Sequence, residues 1–168
     1  RTRNKEYKRA CHEACIRIPL VAWGGPFRGG LVVDELVSLI DVAPTLLELG
    51  GMTPPPAYHG RSLLPLVRGE ATDWPEEVFL QISESQVGRA IRTRRWKYGV
   101  DAPDRHGWND LDSDVYVEQY LYDLEADPHE QRNLAGDAAY RAVADALRHT
   151  LLRRMAAAGE RSAEIWPA

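Results

Sequence analysis

Three consecutive prolines, Pro54-Pro55-Pro56, constrain this chain more than any other feature. Each proline holds φ near about −65° and lacks an N–H, so neither a helix nor a central sheet ladder runs through the three. They favour an extended linker, and the sequence on its two sides follows different patterns.

Before the linker the apolar residues come in runs. Ile16 to Trp23 (Ile-Arg-Ile-Pro-Leu-Val-Ala-Trp) is rich in β-branched and apolar residues and stops at Gly24, Gly25 and Pro26. This predicts a short buried strand. Val33 to Ile40 predicts a second strand, and Asp41 is expected to cap a helix over Val42–Leu49. Pro44 is tolerated in the first helical turn, where its missing N–H has no helical partner, and Gly50 supplies the stop. A strand leading into a short crossover helix is the pattern of a layered α/β fold.

Beyond the linker, Ser62 to Val67 predicts a helical turn. Closely spaced strands then follow at Val78 to Ser83, Arg89 to Thr93, Trp96 to Val100 and Tyr120 to Leu124, which implies an antiparallel meander. Asp101 to Glu118 is expected to be a long excursion. A last helix is expected from Ala138 to Ala157, with Tyr140, Val143, Ala144, Leu147, Leu151 and Met155 on one stripe facing a sheet. The expected division is residues 1–75 as part of a main α/β domain and 76–168 as a small antiparallel-sheet subdomain with its terminal helix.

Net charge narrows the range of partners. With 21 basic and 25 acidic residues scattered through 168, the net charge of −4 offers no basic stripe for a nucleic acid. Arg1 to Arg9 is basic with no apolar run behind it, so it reads as neither a secretory leader nor a membrane span, but as the interior of a longer chain.

The densest group of reactive side chains is Lys5, Lys8, Cys11, His12, Glu13, Cys15 and Arg17. A zinc site would need a second ligand pair, and none of suitable spacing follows, so no metal ligand is assigned. A disulfide between Cys11 and Cys15 would be strained over so short a separation. Cys11 with His12 as its base lacks a third group to orient the imidazole, and adjacent residues seldom face each other.

Lys8-Arg9-Ala10-Cys11-His12-Glu13-Ala14-Cys15-Ile16-Arg17-Ile18-Pro19 resembles a signature of the sulfatases, in which Gly-Lys leads to an aromatic-Glu pair and then to Arg-x-Pro. The spacing from Lys8 to Glu13, Arg17 and Pro19 fits without a gap, although His12 stands where Tyr is usual, Arg9 where Gly is common and Cys15 where Gly or Ser is common. Leu36 to Gly50 is similar to the strand and helix that come next in that family, and His59-Gly60-Arg61-Ser62-Leu63-Leu64-Pro65-Leu66 to the stretch after its linker. Arg89 to Thr93, Trp96-Lys97-Tyr98, Leu121 to Leu124, Asp127 to Glu130 and Asn133-Leu134 resemble its C-terminal sheet.

The resemblance implies the C-terminal part of an alkaline-phosphatase-like sulfatase fold, hydrolysing sulfate monoesters in the intact parent. It implies Lys8 as the sulfate-binding, catalytic lysine, because a positioned ammonium stabilises the charge that shifts onto the oxygens as the S–O bond breaks. His12 would add a substrate contact at the rim. The family's nucleophile is a formylglycine made within a Cys/Ser-x-Pro/Ala-x-Arg motif, and its hydrate is held by a divalent cation, usually calcium. No such motif occurs here, so nucleophile and cation ligands are expected before Arg1, and the chain alone is expected to be inactive.

The expected partners are the missing N-terminal part and a sulfated small molecule or glycan, with no nucleic acid and no membrane span; the oligomeric state stays open. Arg17 is expected to form an ion pair or pack at a strand start, and His106, Trp108 and Asp110 either reach the active-site mouth or belong to an exposed loop without function. A phosphonate monoester or phosphodiester hydrolase of the same superfamily, or a non-catalytic α/β binding module, remains the alternative.

Overall fold

The computed structural model describes residues 10–168, which form two compact units. One is Pro19–Val78; the other joins the segment ending at Ile18 to Phe79–Ala168. The signature segment therefore packs with the C-terminal sheet, whereas the sequence grouped it with residues 19–75.

The sheet unit begins with a single helical turn, α1 (Glu13–Ile16), followed in chain order by β1 (Glu77–Ser83), β2 (Val87–Thr93), β3 (Trp96–Asp101) and β4 (Val115–Asp123). These strands stand in sequence order, β2–β3 and β3–β4 are antiparallel, and the expected meander is present. The excursion is shorter than expected because β4 already starts at Val115.

Residue parity sets what each face carries. In β2 and β3, Val87, Ile91, Tyr98 and Val100 join the main core, while Ala90 and Lys97 point to the other side. Gln119 is an extra residue in β4, between Tyr120 opposite Gly99 and Glu118 opposite Val100. This bulge exchanges the faces, so Tyr116 lies in the main core but Tyr120 and Tyr122 lie opposite it. Asn133 satisfies the backbone there: its amide nitrogen donates to the Gln119 carbonyl at 2.9 Å and its Oδ1 accepts from Leu121 N–H at 3.0 Å.

The terminal helix runs over Arg141–Ala157, after a 3₁₀ turn at Ala138–Tyr140 whose Ala139 N–H is capped by the Asp137 carboxylate at 2.9 Å. Ala144, Leu147, Leu151 and Met155 are buried against the main core, as the stripe predicts. A strand that the sequence did not signal, β5 (Glu164–Trp166), pairs parallel to β4 and inserts Ile165 into that core. Parallel neighbours need a crossover, and the helix at Arg141–Ala157 supplies it.

In the other unit the expected helix Val42–Leu49 is present, and a short one covers Leu64–Arg68; these are α2 and α3, and the terminal helix is α4. The strands expected at Ile16–Trp23 and Val33–Ile40 are absent: Ile16 ends α1, and the rest is irregular up to a 3₁₀ turn at Leu39–Asp41. A buried parallel strand needs neighbours to take its N–H and C=O groups, and no such strand lies among the described residues of this unit.

Asp41 corrects a further expectation. It occupies the N-cap position, but its carboxylate accepts from Ser38 N–H and Arg61 N–H, each at 2.8 Å, instead of from a helical N–H. Gly60 makes this approach sterically feasible: a Cβ there would lie 2.0 Å from the Ile40 carbonyl oxygen. Among the described residues no helix is long and apolar enough to cross a membrane.

Candidate functional site

The described part of the signature segment, around Cys11, lies on the sheet face opposite α4. Cys11 is buried there with Ala90, Tyr120, Tyr122 and Leu124. Burial pushes its thiol up to about 11, against a hydrogen bond with Tyr120 that lowers it, so it stays protonated near neutral pH. Cys11 and Cys15 are not bridged, and Cys11 is a buried, packed thiol. The His12 ring lies 5.5 Å from that of Tyr120 and 5.9 Å from that of Tyr122, and the two tyrosines stack at 5.6 Å. Gly99 leaves room for this stack, since a Cβ there would meet the Tyr120 ring at 2.2 Å.

His12 has extended dihedrals and its carbonyl accepts from Cys15 and Ile16, which starts the α1 turn. Glu13 is the next residue. Its N–H donates to Glu130 Oε2 at 2.8 Å, its Oε1 lies 2.7 Å from Lys97 Nζ, and its Oε2 lies 3.3 Å from the Arg92 guanidinium. Lys97 Nζ also reaches Glu130 Oε1 at 2.5 Å, and its side chain is 0% exposed.

The β2–β3 register explains why carboxylates are needed. Arg92 stands directly opposite Lys97, and like charges facing each other across an antiparallel pair repel. Glu13 and Glu130 bring two negative charges to the two positive ones, and each carboxylate oxygen involved has a donor. Removing one member of such a buried set costs about 3–5 kcal/mol, because the remaining charge loses its partner. Burial pushes the Glu13 carboxyl up, but the hydrogen bonds from Arg92 and Lys97 outweigh it and hold it below the usual range.

Glu130 sits at φ 54, the left-handed region, on the turn that Asp127-Pro128 opens. The Asp127 carboxylate ties this turn by accepting from Arg132 N–H at 2.7 Å. A glycine would fit that backbone with less strain, but it would bring no carboxylate to Lys97 and the Glu13 N–H.

Lys8 lies outside the described residues. His12 is held against the tyrosine pair, five residues before Arg17, which closes α1 with its N–H on the Glu13 carbonyl and an exposed side chain, not at the start of a strand. His106, Trp108 and Asp110 form a local turn of their own. Asp110 accepts from His106 N–H at 2.8 Å, and Trp108 lines a small polar cleft with Glu84, Ser85, Arg105 and His106. Lys97 and Glu130 were missed as site residues. The available signal was a lysine inside the alternating strand Trp96–Val100, where an inward charge demands a partner.

Among the described residues no cluster of three or more His, Cys, Asp or Glu could hold a metal ion. The described residues thus do not fit the cation that the resemblance implies.

Comparison with known proteins bears on this arrangement. The family described as N-sulphoglucosamine sulphohydrolase, C-terminal, matches residues 6–157. Mouse Arylsulfatase K is 30% identical over 139 residues, 77% of this chain and 23% of its own. Among solved structures, BT4656 in complex with its substrate D-glucosamine-2-N,6-O-disulfate superposes with a TM-score of 0.57 at 27% identity, covering 71% of this chain and 24% of that one. The phosphonate monoester hydrolase of Agrobacterium radiobacter gives 0.59 at 26% identity, covering 75% and 26%. The chain spans about a quarter of the length of the curated relatives it matches. A family match over nearly the whole chain, on a sheet and helix of that fold, makes this chain a member of the N-sulphoglucosamine sulphohydrolase C-terminal family, the C-terminal portion of the sulfatases.

Proposed function

We propose that this chain is the C-terminal part of an enzyme that hydrolyses sulfate monoesters, and that it is inactive without the missing N-terminal part. The observation that carries the reading is the seating of the signature segment: Glu13 is bound through both backbone and side chain to Glu130, Lys97 and Arg92. That fixes Glu13, five residues after Lys8 in the sequence, relative to the sheet. In this reading Lys8 binds the sulfate and stabilises charge on its oxygens, and His12 contributes a substrate contact at the rim.

By resemblance, the formylglycine nucleophile and a divalent cation, calcium, would be held by the rest of the enzyme, where the cation would supply Lewis-acid stabilisation of oxygen charge. The exposed apolar side chains of the Pro19–Val78 unit support a missing partner segment, since Val21 and Trp23 are 88% and 89% exposed. The sulfatase relatives support this substrate class, and a sulfated glucosamine is a suitable first substrate because BT4656 takes one.

The test is turnover of para-nitrophenyl sulfate, a sulfated glucosamine and a phosphonate monoester by the intact enzyme and by this chain alone. Sulfate ester turnover by the intact enzyme, lost about 10²-fold or more in Lys8→Ala and absent from the chain alone, is expected, since removing one stabilising group of this kind costs about that much. Preference for the phosphonate monoester would favour the second reading, which the similarity to the Agrobacterium radiobacter hydrolase supports. Chelation should abolish activity of the intact enzyme and added calcium restore it.

A further inference from the structure

We propose that Lys97, acting through Glu13, is a positioning residue for the segment that carries Lys8 and His12; this rests on the reading of Lys8 given above. Three bonds close a ring. The Glu13 N–H reaches one oxygen of Glu130, the other oxygen of Glu130 reaches Lys97 Nζ, and Lys97 Nζ returns to the Glu13 carboxylate. Arg92 braces that carboxylate from the neighbouring strand. Because the backbone and the side chain of the same residue are both held, Glu13 is fixed in orientation as well as in place.

The ring is built on rigid elements. Lys97 and Arg92 face each other in the β2–β3 ladder, and Glu130 sits on a turn tied by Asp127. His12, the residue before Glu13, lies against Tyr120 and Tyr122 of the next strand. Lys97 is buried, and its ion pairs among the described residues are with Glu13 and Glu130. Its effect on a sulfate held five residues before Glu13 is therefore indirect. A sulfate-binding ammonium must be placed within a fraction of an ångström, and a displacement of about 1 Å from a change far from the chemistry can cost about 10²-fold in rate.

The experiment uses the intact enzyme with Glu13→Gln, which keeps the shape of the side chain and removes its charge, and Lys97→Met. Glu118→Gln is the control, since Glu118 pairs with Arg141 on the face that carries α4. Three quantities are read: kcat and KM for para-nitrophenyl sulfate, the inhibition constant of inorganic sulfate, and amide hydrogen exchange of residues 10–18 against that of β2 to β4.

Both test variants are expected to lower kcat/KM by about tenfold to 10²-fold and to weaken sulfate inhibition in parallel. Exchange should rise in residues 10–18 and stay unchanged in the strands. The control should lower the melting temperature and leave all three readings at the wild-type level. A Glu13→Gln enzyme that is less stable but has wild-type kcat/KM, sulfate inhibition and segment exchange would overturn the proposal, leaving the cluster a purely structural ion pair. If the wild-type enzyme turns over a phosphonate monoester and no sulfate ester, the functional reading fails by itself. Segment exchange, and inhibition by inorganic phosphate, then decide the positioning role.

Discussion

Lys97 and Arg92 face each other in the sheet, and the fold answers this local repulsion with carboxylates from two distant points in the chain, Glu13 and Glu130. The same face shows how burial changes a residue's chemistry. Cys11, next to His12 in sequence, has its thiol raised to about 11 by burial, which leaves about one thiolate in a thousand at pH 8. A thiol reagent at that pH should modify Cys15 in the native protein and reach Cys11 only on addition of denaturant. Mass spectrometry of the labelled peptide checks this, and fast native labelling of Cys11 would contradict its place beside Tyr120.

At the scale of elements, the bulge at Gln119 has the largest consequence. One extra residue sends Tyr116 into the α4 core and Tyr120 into the opposite face, so a single strand serves both the stabilising core and the seat of the signature segment. α4 holds the first of these. Leu151 is 0% exposed at its centre, and Leu151→Ala should cost about 2–5 kcal/mol of sheet-unit stability, read from urea unfolding followed by circular dichroism. A change below about 0.5 kcal/mol would mean that α4 is not seated as described. The arginines of α4 and of the neighbouring loops contribute in another way: Arg141 grips Glu118, which also accepts from Tyr98.

At the scale of the molecule, the sheet unit depends on carboxylates held ionised by basic partners. Burial pushes the Glu13 and Glu118 carboxyls up, but the hydrogen bonds to Arg92 and Lys97 in one case and to Arg141 in the other hold both low. Hydrogen bonds from Arg161 and Arg95 hold Asp112 and Asp123 low in the same way. A carboxyl lowered by folding contributes stability that is whole above its unfolded value and is lost as pH falls through its folded one. Asp101 works in the opposite sense: burial raises it, so its ionised form weakens the fold at neutral pH. The four lowered groups outnumber it. Urea midpoints of the sheet unit should therefore be flat from neutral pH down to about the ordinary glutamate value of 4.5 and fall steadily below it. Glu13→Gln should flatten that fall, and a midpoint that rises on acidification would contradict this assignment.

The sequence alone determined the elements whose causes are local: the α2 helix with its proline in the first turn and its glycine stop, the strands from Glu77 to Asp101, and the apolar stripe of α4. The family of the signature around Lys8, His12 and Glu13 was also legible, because its residues sit at fixed spacing along the chain. What the tertiary structure decided was everything that depends on distant partners. Residues 16–23 and 33–40 read as strands by composition, yet a strand exists only where another backbone takes its hydrogen bonds. Glu164–Trp166, with little local signal, became a strand because β4 offered it an edge. Lys97 inside a predicted strand signals in one dimension only that a partner is needed; which carboxylates answer it, Glu13 and Glu130, the fold alone decides, because they lie far apart in the sequence.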